Sequence, residues 1–152
     1  MASQGRAAGL NITQLMQKVE RDLGDVQKLF LLGLAEDIVE SSPVDSGAYV
    51  NAHSIDAGVG SSGGRFTGSF QSGTPSPNPE GERAQAMSKL RSQIEALPES
   101  FGTISINNNV PHAYKVEYGG WATRGPYAVY STALNRASVH LQDAINAVKA
   151  RQ

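Results

Sequence analysis

The amino-acid sequence predicts an α+β fold in which long N-terminal and C-terminal helices pack on a small β-sheet. Apolar residues recur at helical spacing near both ends of the chain, and two short stretches between them alternate polar and apolar residues. The length suits one domain over residues 11–150, with a Gly/Ser/Pro-rich loop inserted at 60–81. Residues 1–10 are small and polar, and we expect them to form a flexible arm.

The first long helix is predicted to run from Asn11, which can cap it, to the stop at Ser41-Ser42-Pro43. Its apolar stripe recurs every three or four residues over about seven turns. The stripe consists of Ile12, Leu15, Val19, Leu23, Val26, Phe30, Leu34 and Ile38. Further leucines and Val39 broaden this face, so we expect cover on more than one side. Burial in this chain's own core and contact with another subunit both fit the pattern.

After Pro43, Asp45 is well placed to cap a short second helix. The segment 53–60 is typical of a strand, with Ile55, Ala57 and Val59 on one face. The loop from 60 to 81 is too long and too rich in glycine, serine and proline for a simple connector. Two aromatic residues interrupt its polarity, Phe66 and Phe70, and they make it a candidate inter-subunit arm. Simple mobility of this loop explains the composition equally well.

The second half of the chain is predicted to alternate helices with one strand. Helical spacing from 81 to 97 ends at Pro98, and the alternation of 103–106 predicts a strand that ends at 107–109. Pro111 then halts the ladder, a short helical turn carries Glu117 and Tyr118, and Gly119 closes it. Beyond Pro126, a further stripe predicts a third long helix. That stripe is Tyr130, Leu134, Ala137, Leu141, Ala144 and Val148.

Composition and charge exclude several classes of protein. A net charge of −1 gives no electrostatic footprint for tight nucleic-acid binding. The absence of cysteine excludes a disulfide framework and a thiolate zinc site. The N-terminus has no apolar segment of the kind found in signal peptides, and the longest apolar run is too short to span a bilayer. We therefore expect a soluble intracellular product.

Only fragments of an active site can be found. The three histidines, His53, His112 and His140, lie in different elements without metal-ligand spacing, so no metal or cofactor is expected. Asp45, His112 and Glu117 can converge as an acid and base at the corner after the second strand. We favour a structural role for Glu117, as an acceptor of N–H groups or as a partner of Arg124. The sequence does not predict an enzyme.

Two sequence motifs, taken together and in their order along the chain, resemble those of a known protein family. The first is Ser42-Pro43-Val44-Asp45-Ser46-Gly47, after a long amphipathic helix. The second runs from Ile106 to Gly119 and includes Asn107, Asn109, Pro111, Ala113, Glu117, Tyr118 and Gly119. Together they resemble the (S/T)-P-V-D-(S/T)-G and N-x-x-P-Y-A-x-x-x-E-Y-G motifs of the tail-completion, or neck, proteins of long-tailed bacteriophages. His112 stands where tyrosine is commoner in that family.

The resemblance implies a structural virion protein that forms a homo-oligomeric ring, often a hexamer, at the head–tail joint. The ring's neighbours are the head connector and the tail tube or its terminator, and genomic DNA passes through without sequence-specific binding. The resemblance further implies assembly in the host cytoplasm, location in the tail or neck of the virion, and no membrane or cofactor. A tail terminator or another minor tail protein is the alternative, and a small hydrolase using His112 and Glu117 is less favoured.

Overall fold

The computed structural model describes residues 2–58, 75–98, 102–119 and 126–151. The elements in chain order are α1 (Ala2–Ser41), a 3-10 turn (Val50–Ala52), β1 (His53–Ala57), α2 (Pro79–Glu95), β2 (Ile104–Asn108), α3 (Ala113–Tyr118), α4 (Val129–Asn135) and α5 (Ala137–Lys149). The predicted α+β class is confirmed, since helices brace a two-stranded antiparallel sheet.

Helix α1 is the element on which the other helices assemble. Arg83, near the start of α2, donates to the carbonyl of Ser42, just past the end of α1, at 3.3 Å. At the other end of α2, Glu95 lies 3.9 Å from Lys28 of α1. Helix α2 therefore runs antiparallel to α1 and covers only its second half.

Helix α5 runs along the same half of α1, also antiparallel. His140, in its first turns, contacts Asp37, and the guanidinium of Arg151, beyond its end, lies 3.9 Å from Asp25. The buried residues form two adjoining clusters. One joins α1, α2 and β1 through Leu31, Ala35, Val39, Val50, Ile55, Ala86, Leu90, Ile94 and Leu97, and the other joins α1, α3 and α4 through Ile38, Tyr49, Val110, Val116, Val129 and Ala133.

The sheet pairs the two predicted strands in antiparallel register, with Ile55 opposite Ile106. Strand β1 buries His53 and Ile55 on the same face because alternate residues of a strand point the same way. Strand β1 ends at Ala57, which is exposed, and is therefore shorter than the strand predicted over 53–60. The remainder of that prediction, Val59 and Gly60, lies outside the described residues.

The start of α1 differs from the prediction. The helix begins at Ala2, so the segment predicted as a flexible arm is helical, and Asn11 lies inside the helix instead of capping it. Alanine, glutamine and arginine in that segment favour helix, and extending an existing helix is far easier than nucleating one. The apolar stripe is also divided in two: residues from 31 onward are largely buried, whereas residues 11–20 are all exposed.

Two further predictions are wrong in detail. Asp45 caps no helix, because residues 43–49 form bends and turns and the 3-10 turn that follows begins at Val50 without a side-chain cap. The predicted third long helix is two helices, α4 and α5, separated at Arg136. The break changes which residues face the core, and Leu134 and Leu141 of the predicted stripe are exposed.

Helix α2 confirms the prediction of a helix before Pro98, although it begins two residues earlier than expected. Asn78 caps it by accepting from the Gly81 N–H at 3.0 Å, and Pro79 follows as its first residue. Most of the 60–81 loop, including Phe66 and Phe70, lies outside the described residues, as do Trp121 and Arg124. Within the described ranges, no helix combines the length and apolar character needed to cross a membrane.

Candidate functional site

Glu117, the acidic residue of the second motif, caps helix α4. One of its carboxylate oxygens accepts the Tyr130 N–H at 2.9 Å, and the other accepts the Ser131 N–H at 2.9 Å and the Ser131 hydroxyl at 2.6 Å. Burial alone would raise the pKa of Glu117, but these hydrogen bonds outweigh it and the pKa is lowered. A carboxylate at a helix N-terminus also interacts favourably with the helix dipole. The predicted acceptor role of Glu117 is confirmed.

The chain turns sharply on both sides of this cap. Gly119 ends α3 with a φ of +87°, a value that glycine adopts readily, and its N–H donates to Lys115 at 2.8 Å. The Tyr127 N–H donates to the carbonyl of Val116 at 2.9 Å. Ala128 then adopts a left-handed conformation before α4 begins. The Glu117 cap therefore holds together a corner whose backbone is strained at Ala128.

A buried histidine, His53, connects three parts of the fold. Its ring Nε2 lies 2.8 Å from Ser42 Oγ, and its Nδ1 lies 2.7 Å from the hydroxyl of Tyr130. Because the Ser42 hydroxyl donates to the carbonyl of Ile38, His53 Nε2–H must donate to Ser42. The Asn108 side-chain NH₂, which can only donate, lies 3.3 Å from His53 Nδ1, so Nδ1 is an acceptor and the Tyr130 hydroxyl donates to it. The imidazole is therefore neutral, in the tautomer with its proton on Nε2.

His53 and Ser42 are both closed off from solvent. His53 is 1% exposed and Ser42 is 1% exposed, and the ring of Tyr49 packs edge-on against His53 with centroids 4.9 Å apart. Burial lowers the pKa of His53 to about 3, with a smaller contribution from the charge of Lys89. Although a serine within reach of a histidine is typical of hydrolases, Ser42 here donates its only proton to the backbone. The group is a structural clamp.

Gly47, the last residue of the first motif, lies in a tight turn against α2. Its φ is +88°, and a Cβ there would come within 2.7 Å of the Glu82 carboxylate. That carboxylate accepts from the Asn51 amide at 2.6 Å and from the Ser76 hydroxyl at 3.1 Å. The Ser76 N–H in turn donates to the carbonyl of Asp45 at 2.6 Å. The motif therefore fastens the turn to the start of α2.

Asp37 joins α1 to the C-terminal helices. This buried carboxylate accepts from Arg136 Nη1 at 2.8 Å and from His140 Nε2 at 2.6 Å. The His140 ring lies over Gly33, where a Cβ would come within 2.5 Å of Nδ1. Glycine at this position costs helix propensity, and the structure supplies the reason for it.

The three residues considered for acid–base catalysis do not form a catalytic group. Glu117 has both oxygens occupied by α4, Asp45 is exposed beside Ser76, and the ring of His112 packs against Tyr49 with centroids 6.2 Å apart. Asn108, which lies between the predicted Asn107 and Asn109, donates to the carbonyl of Tyr49 at 2.8 Å and joins the end of β2 to the turn before β1. Among the described residues, no His, Asp and Glu side chains are grouped to hold a metal ion.

Among the described residues, two groups of exposed apolar side chains take no part in these contacts. The first, which we term the arm stripe, lies on the first half of α1 and consists of Ile12, Leu15, Met16, Val19 and Leu23, each 43–61% exposed. The second, the tyrosine groove, is an open groove between α3 and α4 of about 450 Å³. It is lined by apolar and aromatic side chains together with a few polar ones: Asn108, Ala113, Tyr114, Glu117, Tyr118, Tyr130, Ser131 and Leu134.

The contacts of His53 and Asp37 are not predictable from sequence spacing, because most of their partners are distant in the chain. Tyr130 is 77 residues from His53, and Arg136 and His140 are 99 and 103 residues from Asp37. Gly33, in the middle of the first helix, was the available signal, because a glycine inside a helix can mark the close approach of another side chain, here that of His140.

Comparison with protein-family models, with curated proteins and with solved structures finds no match for this chain.

Proposed function

We propose that this chain is a structural subunit of a ring at the head–tail joint of a long-tailed bacteriophage. The observation that carries the proposal is the arm stripe. A long helix whose apolar face is exposed over its first half is typical of a subunit whose neighbours cover that face in an assembly. The motifs that resemble the neck family provide the sequence support.

The contacts of the motif residues agree with a structural role for those residues. Gly47 and Glu117 fasten a turn and a helix end, and Gly119 ends a helix. Pro43 follows the end of α1, and Val44 packs against the larger core cluster. Residues used in this way hold a rigid frame on which assembly surfaces can be presented.

The experiment is deletion of the gene from the phage that encodes this chain, followed by electron microscopy of the lysate. A neck subunit predicts filled heads and complete tails of normal length that remain separate, and joining should be restored by the chain supplied from a plasmid. Tails of abnormal length would instead indicate a terminator that stops growth of the tail tube. Normal joined particles would contradict both roles.

A matched pair of complementing variants sharpens the test. Val19→Asp places a charge in the arm stripe, whereas Gln17→Asp places the same charge on another exposed face of the same helix. We expect the first variant to fail to restore joined particles and the second to restore them. Equal restoration by both would show that the arm stripe is not used in assembly.

A further inference from the structure

The arm stripe cannot be covered by the tyrosine groove of its own chain. Helix α1 is continuous from Ala2 to Ser41, and α4 packs on it at Ile38. From Val19 to Ile38 the helix rises about 28 Å, so the centre of the arm stripe is well separated from the position at which α4 packs on the same rigid helix. Within the described residues, the two surfaces therefore do not cover each other in one chain.

We propose that the arm stripe of one copy packs in the tyrosine groove of the next copy, head to tail. This inference rests on the proposed function, since it assigns the contact that would join neighbouring subunits of the ring. A contact between two different surfaces repeats from copy to copy, and it closes into a ring when the rotation per subunit fits. A contact of the arm stripe with itself would give only a two-fold dimer.

The areas of the two surfaces match. From their exposed fractions, the five stripe side chains expose about 500 Å², which is already a large apolar patch for a monomer. Tyr114, Tyr118 and Leu134 of the groove are 66–73% exposed and contribute about the same again. Together the two surfaces reach roughly 1,000 Å², which is about the minimum expected of a biological interface.

The shape of the groove agrees with this pairing. The rings of Tyr114 and Tyr118 lie side by side, with centroids 4.7 Å apart, and form one wall of the groove. Aromatic walls of this kind are typical anchor points for apolar side chains from a partner.

Cross-linking tests the contact directly, because the chain contains no cysteine. Val19→Cys and Tyr118→Cys are made in separate chains, mixed, and treated with a short bifunctional maleimide. We expect a cross-linked dimer in the mixture and none from either variant alone. Arg21→Cys, two residues from Val19 and therefore on the opposite face of the helix, is the matched control and should lose the product when mixed with Tyr118→Cys.

The alternatives give different results. A cross-linked dimer from Val19→Cys alone would show that arms pair with each other and would overturn the proposal. Absence of any product in the mixture, with circular dichroism showing folded protein, would also overturn it and would leave the arm for a different partner. Either result would be compatible with a neck function, which the deletion phenotype tests separately.

Discussion

Replacing Glu117 by glutamine tests the corner that carries the second motif. The side chain is 8% exposed, and it satisfies two backbone N–H groups and one hydroxyl at the start of α4. Glutamine keeps one acceptor oxygen, which can serve Ser131, but it directs an NH₂ group at the N–H of Tyr130. One buried donor is then unsatisfied, at a cost of about 1–3 kcal/mol, and the loss of charge at the helix terminus adds about 0.3–1 kcal/mol.

The expected result is a decrease of about 1–4 kcal/mol in the free energy of unfolding, out of a total that is normally about 5–15 kcal/mol. In a thermal scan this corresponds to a decrease in Tm of roughly 3–16 °C for a chain of this size. Urea unfolding followed by circular dichroism measures the change. Glu36→Gln, at an exposed position of α1, is the matched control. Equal midpoints for the two variants would refute the capping argument.

Three further predictions concern the other contacts. The pKa of His53 is about 3 in the folded protein and 6.5 in the unfolded chain, so the stability that neutral His53 provides is complete above pH 6.5 and decreases as the pH falls toward 3. The free energy of unfolding, measured with urea, should therefore be about 2 kcal/mol lower at pH 5 than at pH 7. Tyr130→Phe should decrease that difference. Gly47→Ala should destabilise the fold by about 1–3 kcal/mol, because this position has a positive φ and lies against Glu82. Thermal scans should show a smaller loss of stability from the same substitution in a Glu82→Ala background. An unchanged loss of stability would rule out the contact. Gly33→Ala should destabilise the wild type, in which the His140 ring lies over Gly33. It should stabilise a His140→Ala chain, by up to about 1 kcal/mol, because alanine has the higher helix propensity. A change of stability with the same sign in both backgrounds would contradict the close approach of His140 to Gly33.

Periodicity predicted the elements of this fold well. The long first helix, the helix before Pro98, both strands and the short turn carrying Glu117 are all present. Two errors arose from local propensity. The segment 2–10 is low in large apolar residues yet helical, and the C-terminal stripe is interrupted at Arg136, whose guanidinium bonds Asp37 of α1. A pattern within one segment contains no information on such a distant partner.

The same limit applies to the candidate site. The role of Glu117 could be predicted because helix α4 follows it closely in the chain, whereas the partners of His53 and Asp37 come from opposite ends of the sequence. The apolar stripe of α1 is continuous in sequence, and nothing in its spacing separates the half that is buried from the half that is exposed. Only the positions at which α2 and α5 end along α1 decide that division.

The central claim is that the exposed surfaces of this chain serve assembly at the head–tail joint. Cryo-electron microscopy of intact virions, with a map of the neck resolved to side chains, tests it most directly. The account predicts a ring of identical copies at the joint, each with its 40-residue first helix reaching the tyrosine groove of its neighbour. A fully interpreted neck map that contains no copy of this chain would contradict the account.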